Sequence, residues 1–139
     1  MAPKGYITKR LQFSACHRLN SIHLSVEENK KVYGKCNHIN GHGHNYVVKV
    51  TLFGDIDPLT GMIINMTELK ADMEKAIMIP MDHKNLDIDL VYFSDKPSTT
   101  ENLAVFIWNA MKKTMENPDL LYEVEIEETE NNSVKYRGE

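Results

Sequence analysis

Only two cysteines, Cys16 and Cys36, occur in the 139 residues of the chain. So sparse a pair offers little of the disulfide scaffold on which small secreted domains depend, and both thiols are expected to be reduced. Long apolar runs are missing as well. Nothing approaches the roughly 18 residues of a membrane-spanning helix, and the opening Met1-Ala2-Pro3-Lys4-Gly5 lacks the apolar segment of an export signal, so a cytoplasmic protein is expected. Basic charge is not in excess. The 16 lysines and arginines are scattered among 20 acidic residues, for a net charge of −4, which excludes the electrostatic footprint that duplex nucleic acid demands. There is no linker rich in glycine, serine or proline, no internal repeat and no Gly-x-Gly-x-x-Gly dinucleotide fingerprint. One domain spanning residues 1–139 is the expectation.

What the chain does have is an ordinary globular balance, 42% apolar and 26% charged residues, with clear periodicities. From Tyr6 to Cys16, Leu11, Phe13 and Ala15 recur at every second position, the period of a half-buried strand, and His17 follows in the same inward phase. Ser21 to Gly34 is polar and reads as a long loop or short helix. Tyr46 to Phe53 reads as a second strand with Tyr46, Val48, Val50 and Leu52 on its apolar face; a turn at Asp57–Gly61 allows Met62-Ile63-Ile64 to pair back. A first helix is predicted from near Thr67, with Leu69, Met73, Ala76 and Ile77 at helical spacing, ending at Pro80. A second begins at Ser98-Thr99-Thr100-Glu101, which has the form of a capping box with Ser98 as cap, and carries the stripe Leu103, Ile107, Ala110, Met111. Leu121–Thr129 alternates again, with Tyr122, Val124 and Ile126 on one face, and Ser133–Arg137 forms a last strand. The order predicts an α+β domain: an antiparallel sheet with two helices on one face, ββααββ.

The segment Cys36-Asn37-His38-Ile39-Asn40-Gly41-His42-Gly43-His44 carries the sharpest chemistry. In an extended chain His42 and His44 project from one face, and His17 at the end of an inward strand face is the natural third nitrogen donor. Three nitrogens leave the open position that a catalytic zinc uses, although copper or iron also suits three imidazoles. His23 and His38 are rival ligands by residue type; their polar surroundings favour solvent exposure. Cys36 reads either as a small buried apolar residue or, beside a cation, as a thiolate, and its polar, glycine-bounded loop favours the thiolate. Cys16, out of phase with His17, is assigned a structural role. Asp82-His83 reads either as two solvated loop residues or as an acid/base histidine prepared by its carboxylate. Glu128 falls in the apolar phase of its strand, so it is either a strand end reaching solvent or a carboxylate paired with adjacent N–H donors, such as the edge of a pterin or guanine.

These residues sit in blocks that resemble the 6-pyruvoyl tetrahydropterin synthase family. The blocks are Phe13-Ser14-Ala15-Cys16-His17-Arg18-Leu19, Tyr33-Gly34-Lys35-Cys36, Gly41-His42-Gly43-His44-Asn45-Tyr46, Met81-Asp82-His83-Lys84-Asn85-Leu86, Ser98-Thr99-Thr100-Glu101-Asn102 and Glu128-Thr129-Glu130-Asn131-Asn132. The resemblance implies the tunnelling fold, zinc on His17, His42 and His44, Cys36 as catalytic base, and Asp82 with His83 as an acid/base relay. It also implies pterin binding by Glu128 with Thr100 and Glu101 close to it. The implied reaction converts 7,8-dihydroneopterin triphosphate to 6-pyruvoyl-tetrahydropterin with loss of triphosphate, on the route to tetrahydrobiopterin, with magnesium accompanying the triphosphate. The implied assembly is a homohexamer, a dimer of trimers with active sites at subunit boundaries.

Three other readings compete. A carboxy-tetrahydropterin synthase shares fold, metal and substrate, but its relatives have Cys-x3-His-Gly-His, whereas five residues separate Cys36 from His42 here. A silent zinc- or pterin-binding module has no need of Cys36, Asp82 and His83. A barrel-type His-x-His hydrolase needs about 250 residues.

Overall fold

The computed structural model describes residues 1–139. Five strands form one sheet in the order β3-β1-β2-β4-β5. Its centre is a long antiparallel pair, β1 (Lys4–His17) and β2 (His42–Asp55), in continuous register from Lys4 opposite Asp55 to His17 opposite His42. β4 (Leu121–Thr129) and β5 (Asn132–Tyr136) extend the sheet antiparallel on one side. β3 (Lys84–Asn85) lies parallel to β1 on the other, pairing Ala15 with Lys84 and Cys16 with Asn85. The sheet is therefore mixed, not purely antiparallel as the sequence suggested, and the element order is richer than ββααββ.

The alternation in β1 and β2 holds. Phe13, Ala15, His17, Tyr46, Val48, Val50 and Leu52 are all buried on one face, against helices. Between the central strands, α1 (Val26–Tyr33) starts at a capping box in which Ser25 accepts from the Glu28 amide and Glu28 from the Ser25 amide. α2 (Met66–Met73) runs on through a π-helical segment, Glu74–Met78, into α3 (Ile79–Met81). Pro80 thus does not end the helix where expected. It follows the widened turn, which eases the clash between a proline ring and the carbonyl four residues back. α4 (Leu86–Asp89) is a single turn, and α5 (Thr100–Thr114) buries Leu103, Ala104, Ile107, Trp108 and Met111 against β4 and β5. Each leucine, isoleucine or methionine so buried contributes about 1.5–3 kcal/mol.

Three further expectations are corrected. Met62-Ile63-Ile64 forms no strand; both flanks of the sheet are taken by segments from elsewhere in the chain. The cap of α5 is Thr99, whose hydroxyl accepts from the Asn102 amide at 3.2 Å, while Ser98 lies one residue outside the helix. Tyr122 is not inward. The β2–β4 register shifts between Thr51 and Leu52, pairing Leu52 with Leu121 and Thr51 with Glu123, and Tyr122 instead packs on the outer-face rings of Tyr6 at 4.9 Å and Phe53 at 6.2 Å. From Val124 onward the expected phase is restored, so Glu128 does follow Val124 and Ile126 on the inward side.

Candidate active site and its histidine cluster

His17 and His42 end β1 and begin β2, directly opposite each other, and His44 lies two residues along on the same face. Their ligand-capable nitrogens all lie within 4.8 Å of one another, and the Nε2 atoms of His17 and His42 are 3.1 Å apart. Tetrahedral zinc with Zn–N bonds of about 2.0–2.1 Å separates its nitrogens by about 3.3–3.4 Å, so this pair is already near the spacing of two ligands. The chain reversal into β2 depends on Gly41, at φ 73°, where a Cβ would approach the His17 carbonyl oxygen to 2.9 Å.

The protonation pattern suits a metal. His17 Nδ1 donates to the Ser98 carbonyl at 2.8 Å, which leaves Nε2 unprotonated and turned to the cluster. His44 Nε2 is buried without a hydrogen-bond partner; Glu128 Oε1, 3.5 Å away, is too distant for a good one. Burial lowers the His17 pKa, against the opposing bond to Ser98. Burial lowers that of His44 as well, against the opposing Glu128 charge. Neutral imidazoles with lone pairs facing a common point are the donor set that zinc, and other borderline divalent ions, take. His23 and His38 are exposed and outside the cluster, as expected.

Glu128 joins the cluster to the start of α5. Its Oε2 accepts from the Thr100 hydroxyl at 2.5 Å, and its Oε1 is the atom facing His44. Leu19, Thr99, Thr100, Glu101 and Glu128 line one cavity with residues 132–134, so Thr100, Glu101 and Glu128 share a single wall. Cys36 lies in the 3-10 turn Gly34–Asn37, half-buried; its carbonyl accepts from the Leu19 amide at 2.9 Å, tying the turn to the chain just beyond His17.

Asp82 and His83 do touch each other, with His83 Nδ1 3.0 Å from Asp82 Oδ2. His83 takes up φ 62°, a left-handed conformation unusual for a residue with a side chain, and its own amide donates to the Ser14 carbonyl at 2.6 Å. Asp82 Oδ1 accepts from the Ser14 amide at 3.0 Å, and this bond, ahead of the His83 contact, holds the Asp82 carboxyl below the usual range. The His83 side chain is 82% exposed and opens, with Ser14, Cys16, Asn45 and Lys84, on a groove of about 430 Å³ that His44 also lines. Ser14, Cys16 and Asn45 belong to the outer face of the sheet, whereas the histidine cluster is on the inner. No hydrogen bond or ion pair connects Asp82–His83 to the cluster, to Glu128 or to Cys36. Cys16, expected to be structural, is exposed in this groove and fills no part of the core.

Three residues near the cluster were given no part in the site from sequence. Tyr46 is fully buried, with its hydroxyl against His17. It shares the even phase of His42 and His44, which was a usable signal. Ser98, as acceptor for His17, lies 81 residues away in sequence, and Asp87 accepts from the Arg18 amide at 2.7 Å across 69 residues; neither pairing has a local signature.

A sequence model of the family described as 6-pyruvoyl tetrahydropterin synthase matches residues 6–139. The chain belongs to this family. It is 62% identical over 135 residues to the 6-pyruvoyl tetrahydrobiopterin synthase of Poecilia reticulata, covering 97% of this chain and 91% of that one. To the Homo sapiens protein of the same name it is 56% identical over 136 residues, covering 98% and 93%. The solved structure of Caenorhabditis elegans 6-pyruvoyl tetrahydropterin synthase matches with a TM-score of 0.97 at 45% identity, covering 99% and 98% of the two chains. Membership at this identity makes the chain an enzyme of the lyase class and removes the silent binding module from consideration. No helix is long and apolar enough to cross a membrane.

Proposed function

We propose that this enzyme converts 7,8-dihydroneopterin triphosphate to 6-pyruvoyl-tetrahydropterin with elimination of inorganic triphosphate, as a zinc-dependent step of tetrahydrobiopterin biosynthesis in the cytoplasm. The whole chain, residues 1–139, acts as one catalytic domain. The observation that carries the reading is the His17–His42–His44 cluster, with His17 buried, His42 and His44 half-buried and an unpartnered His44 nitrogen, set beside a carboxylate oriented by Thr100.

His17, His42 and His44 would hold zinc, which when bound supplies a Lewis acid that acidifies C–H bonds next to the oxygens of the substrate side chain. Glu128 accepts the paired N–H groups of the pterin edge, and Thr100 keeps the carboxylate turned toward them, with Glu101 on the same wall. Cys36, as thiolate, takes up the side-chain protons. His83, oriented by Asp82, delivers or relays protons. Loss of triphosphate breaks a C–O bond, and an internal electron shift from side chain to ring balances the remaining change, so no nicotinamide or flavin takes part. Magnesium accompanies the triphosphate group of the substrate.

The lack of any hydrogen bond or ion pair from Asp82–His83 to the cluster supports active sites at subunit boundaries of a homohexamer built from two trimers. The exposed His83 side chain is open to a neighbouring subunit. Incubation of the purified protein with dihydroneopterin triphosphate tests the reading: triphosphate and 6-pyruvoyl-tetrahydropterin should appear in equal amounts. Triphosphate with a carboxylated pterin product would assign the chain to the carboxy-tetrahydropterin activity instead.

A further inference from the structure

Tyr46 is the polar side chain beneath the histidine cluster that the reaction above does not use. It is fully buried, stacked on Phe13 with ring centroids 5.2 Å apart, and in edge contact with both His44 and His17. The register explains its reach. On the inward face the β1–β2 pairs run Phe13–Tyr46, Ala15–His44 and His17–His42, so the small Ala15 separates Tyr46 from His17 and leaves a gap across which the long phenol extends.

The Tyr46 hydroxyl lies 3.4 Å from His17 Nε2 and 3.5 Å from His17 Nδ1. Near-equal distances to both nitrogens place the oxygen over the ring, out of line with the in-plane lone pair of either, so this is a packing contact against the imidazole face more than a directed hydrogen bond. The contact has a geometric consequence. The ring is anchored at Cβ, and its Nδ1 is held by the Ser98 carbonyl, so the freedom left to it is a tilt about the Cβ–Cγ bond within the tolerance of that hydrogen bond. The Tyr46 hydroxyl against the ring face opposes that tilt. It thereby steadies the direction of Nε2 toward His42 Nε2.

We propose that Tyr46 is a positioning residue of the metal centre: its hydroxyl, set against the imidazole face, opposes tilting of the His17 ring about Cβ–Cγ and holds Nε2 on the shared metal. This rests on the reading of His17, His42 and His44 as ligands. Groups that orient metal-bound histidines typically change metal affinity by about 10–100-fold when removed. Tyr46→Phe deletes one oxygen and keeps the ring stacked on Phe13, so the core is left intact.

The test compares the full chain and its Tyr46→Phe variant, each stripped of metal and titrated with zinc against a chromophoric chelator, then with cobalt(II) as spectroscopic probe. The expected result is about 10–100-fold weaker zinc binding and an altered cobalt ligand-field spectrum, with the urea unfolding midpoint of the metal-free protein unchanged. Equal zinc affinity and superimposable cobalt spectra would return Tyr46 to a purely structural part in the core. Wild-type protein that takes up neither metal would overturn the ligand reading itself, and this inference with it; the two failures are told apart by the wild-type titration alone.

Discussion

Glu128 Oε1 lies 3.5 Å from His44 Nε2, while the other oxygen of the same carboxylate takes the Thr100 hydroxyl at 2.5 Å. One side chain thus faces a metal-ligand candidate and the start of α5 together. Its place explains how a carboxylate is tolerated on the apolar phase of β4: one oxygen has a firm donor, and the other borders a cluster whose bound cation would attract it. The contact with His44 is long enough that a ligand's N–H could take that oxygen.

Glu128→Gln tests the anchor. The amide keeps the size but turns one acceptor into a donor, so affinity for a reduced pterin should fall on the order of tenfold to a hundredfold, matching the loss of about 1.5–3 kcal/mol for a charge-assisted hydrogen bond. Zinc content should stay intact. Glu127→Gln, one residue away on the outer face and paired with Lys49, serves as control. Isothermal calorimetry giving equal pterin affinities for wild type and Glu128→Gln would remove Glu128 from the binding wall.

The metal set is tested by alanine at each of His17, His42 and His44. Each variant should retain two donors and hold well under one zinc per chain after dialysis. His23→Ala and His38→Ala, both at exposed positions, should keep their metal. Metal analysis by mass spectrometry decides, and full zinc in all three cluster variants would refute the assignment.

For the base, Cys36→Ala should retain zinc and pterin binding yet lose most turnover, because a proton acceptor is removed without a ligand. Cys16→Ser, at an exposed outer-face position, should remain close to wild type. A Cys36→Ala enzyme with near-normal kcat would make this thiol a structural group of its turn.

Asp82 carries a pH prediction. Its pKa in the folded chain is depressed, chiefly by the Ser14 amide and then by His83. A carboxyl lowered on folding contributes stability that is fully present above its unfolded value, about 3.9, and is lost as pH falls through the depressed folded value. Asp82→Asn, which keeps an acceptor for the Ser14 amide, should therefore flatten that part of the acid limb. Urea midpoints measured from neutral pH down through the carboxylate range would show it; identical acid limbs would mean the Ser14 bond is not retained in solution.

What the sequence by itself determined is whatever repeats with the period of the backbone. A period of two fixed the inward faces of β1 and β2, and with them His17, His42 and His44 on one side, because side-chain direction in a strand follows from position alone. The same rule placed Val124, Ile126 and Glu128 but failed at Tyr122, since a bulge is a property of two paired strands and leaves no mark in one. Capping chemistry located the start of α5 to within a residue, yet three adjacent hydroxyl residues offered themselves; Thr99 caps, while the Ser98 carbonyl accepts from the His17 ring. Tertiary structure alone decided the rest. The parallel β3 edge, the bonds from Asp82 and Asp87 to amides of β1 and the residue that follows it, the Thr100–Glu128 pair and the groove that His83 shares with His44 all join residues distant in sequence. Such contacts form only when the whole core closes, and their energy depends on burial and direction that no local pattern encodes.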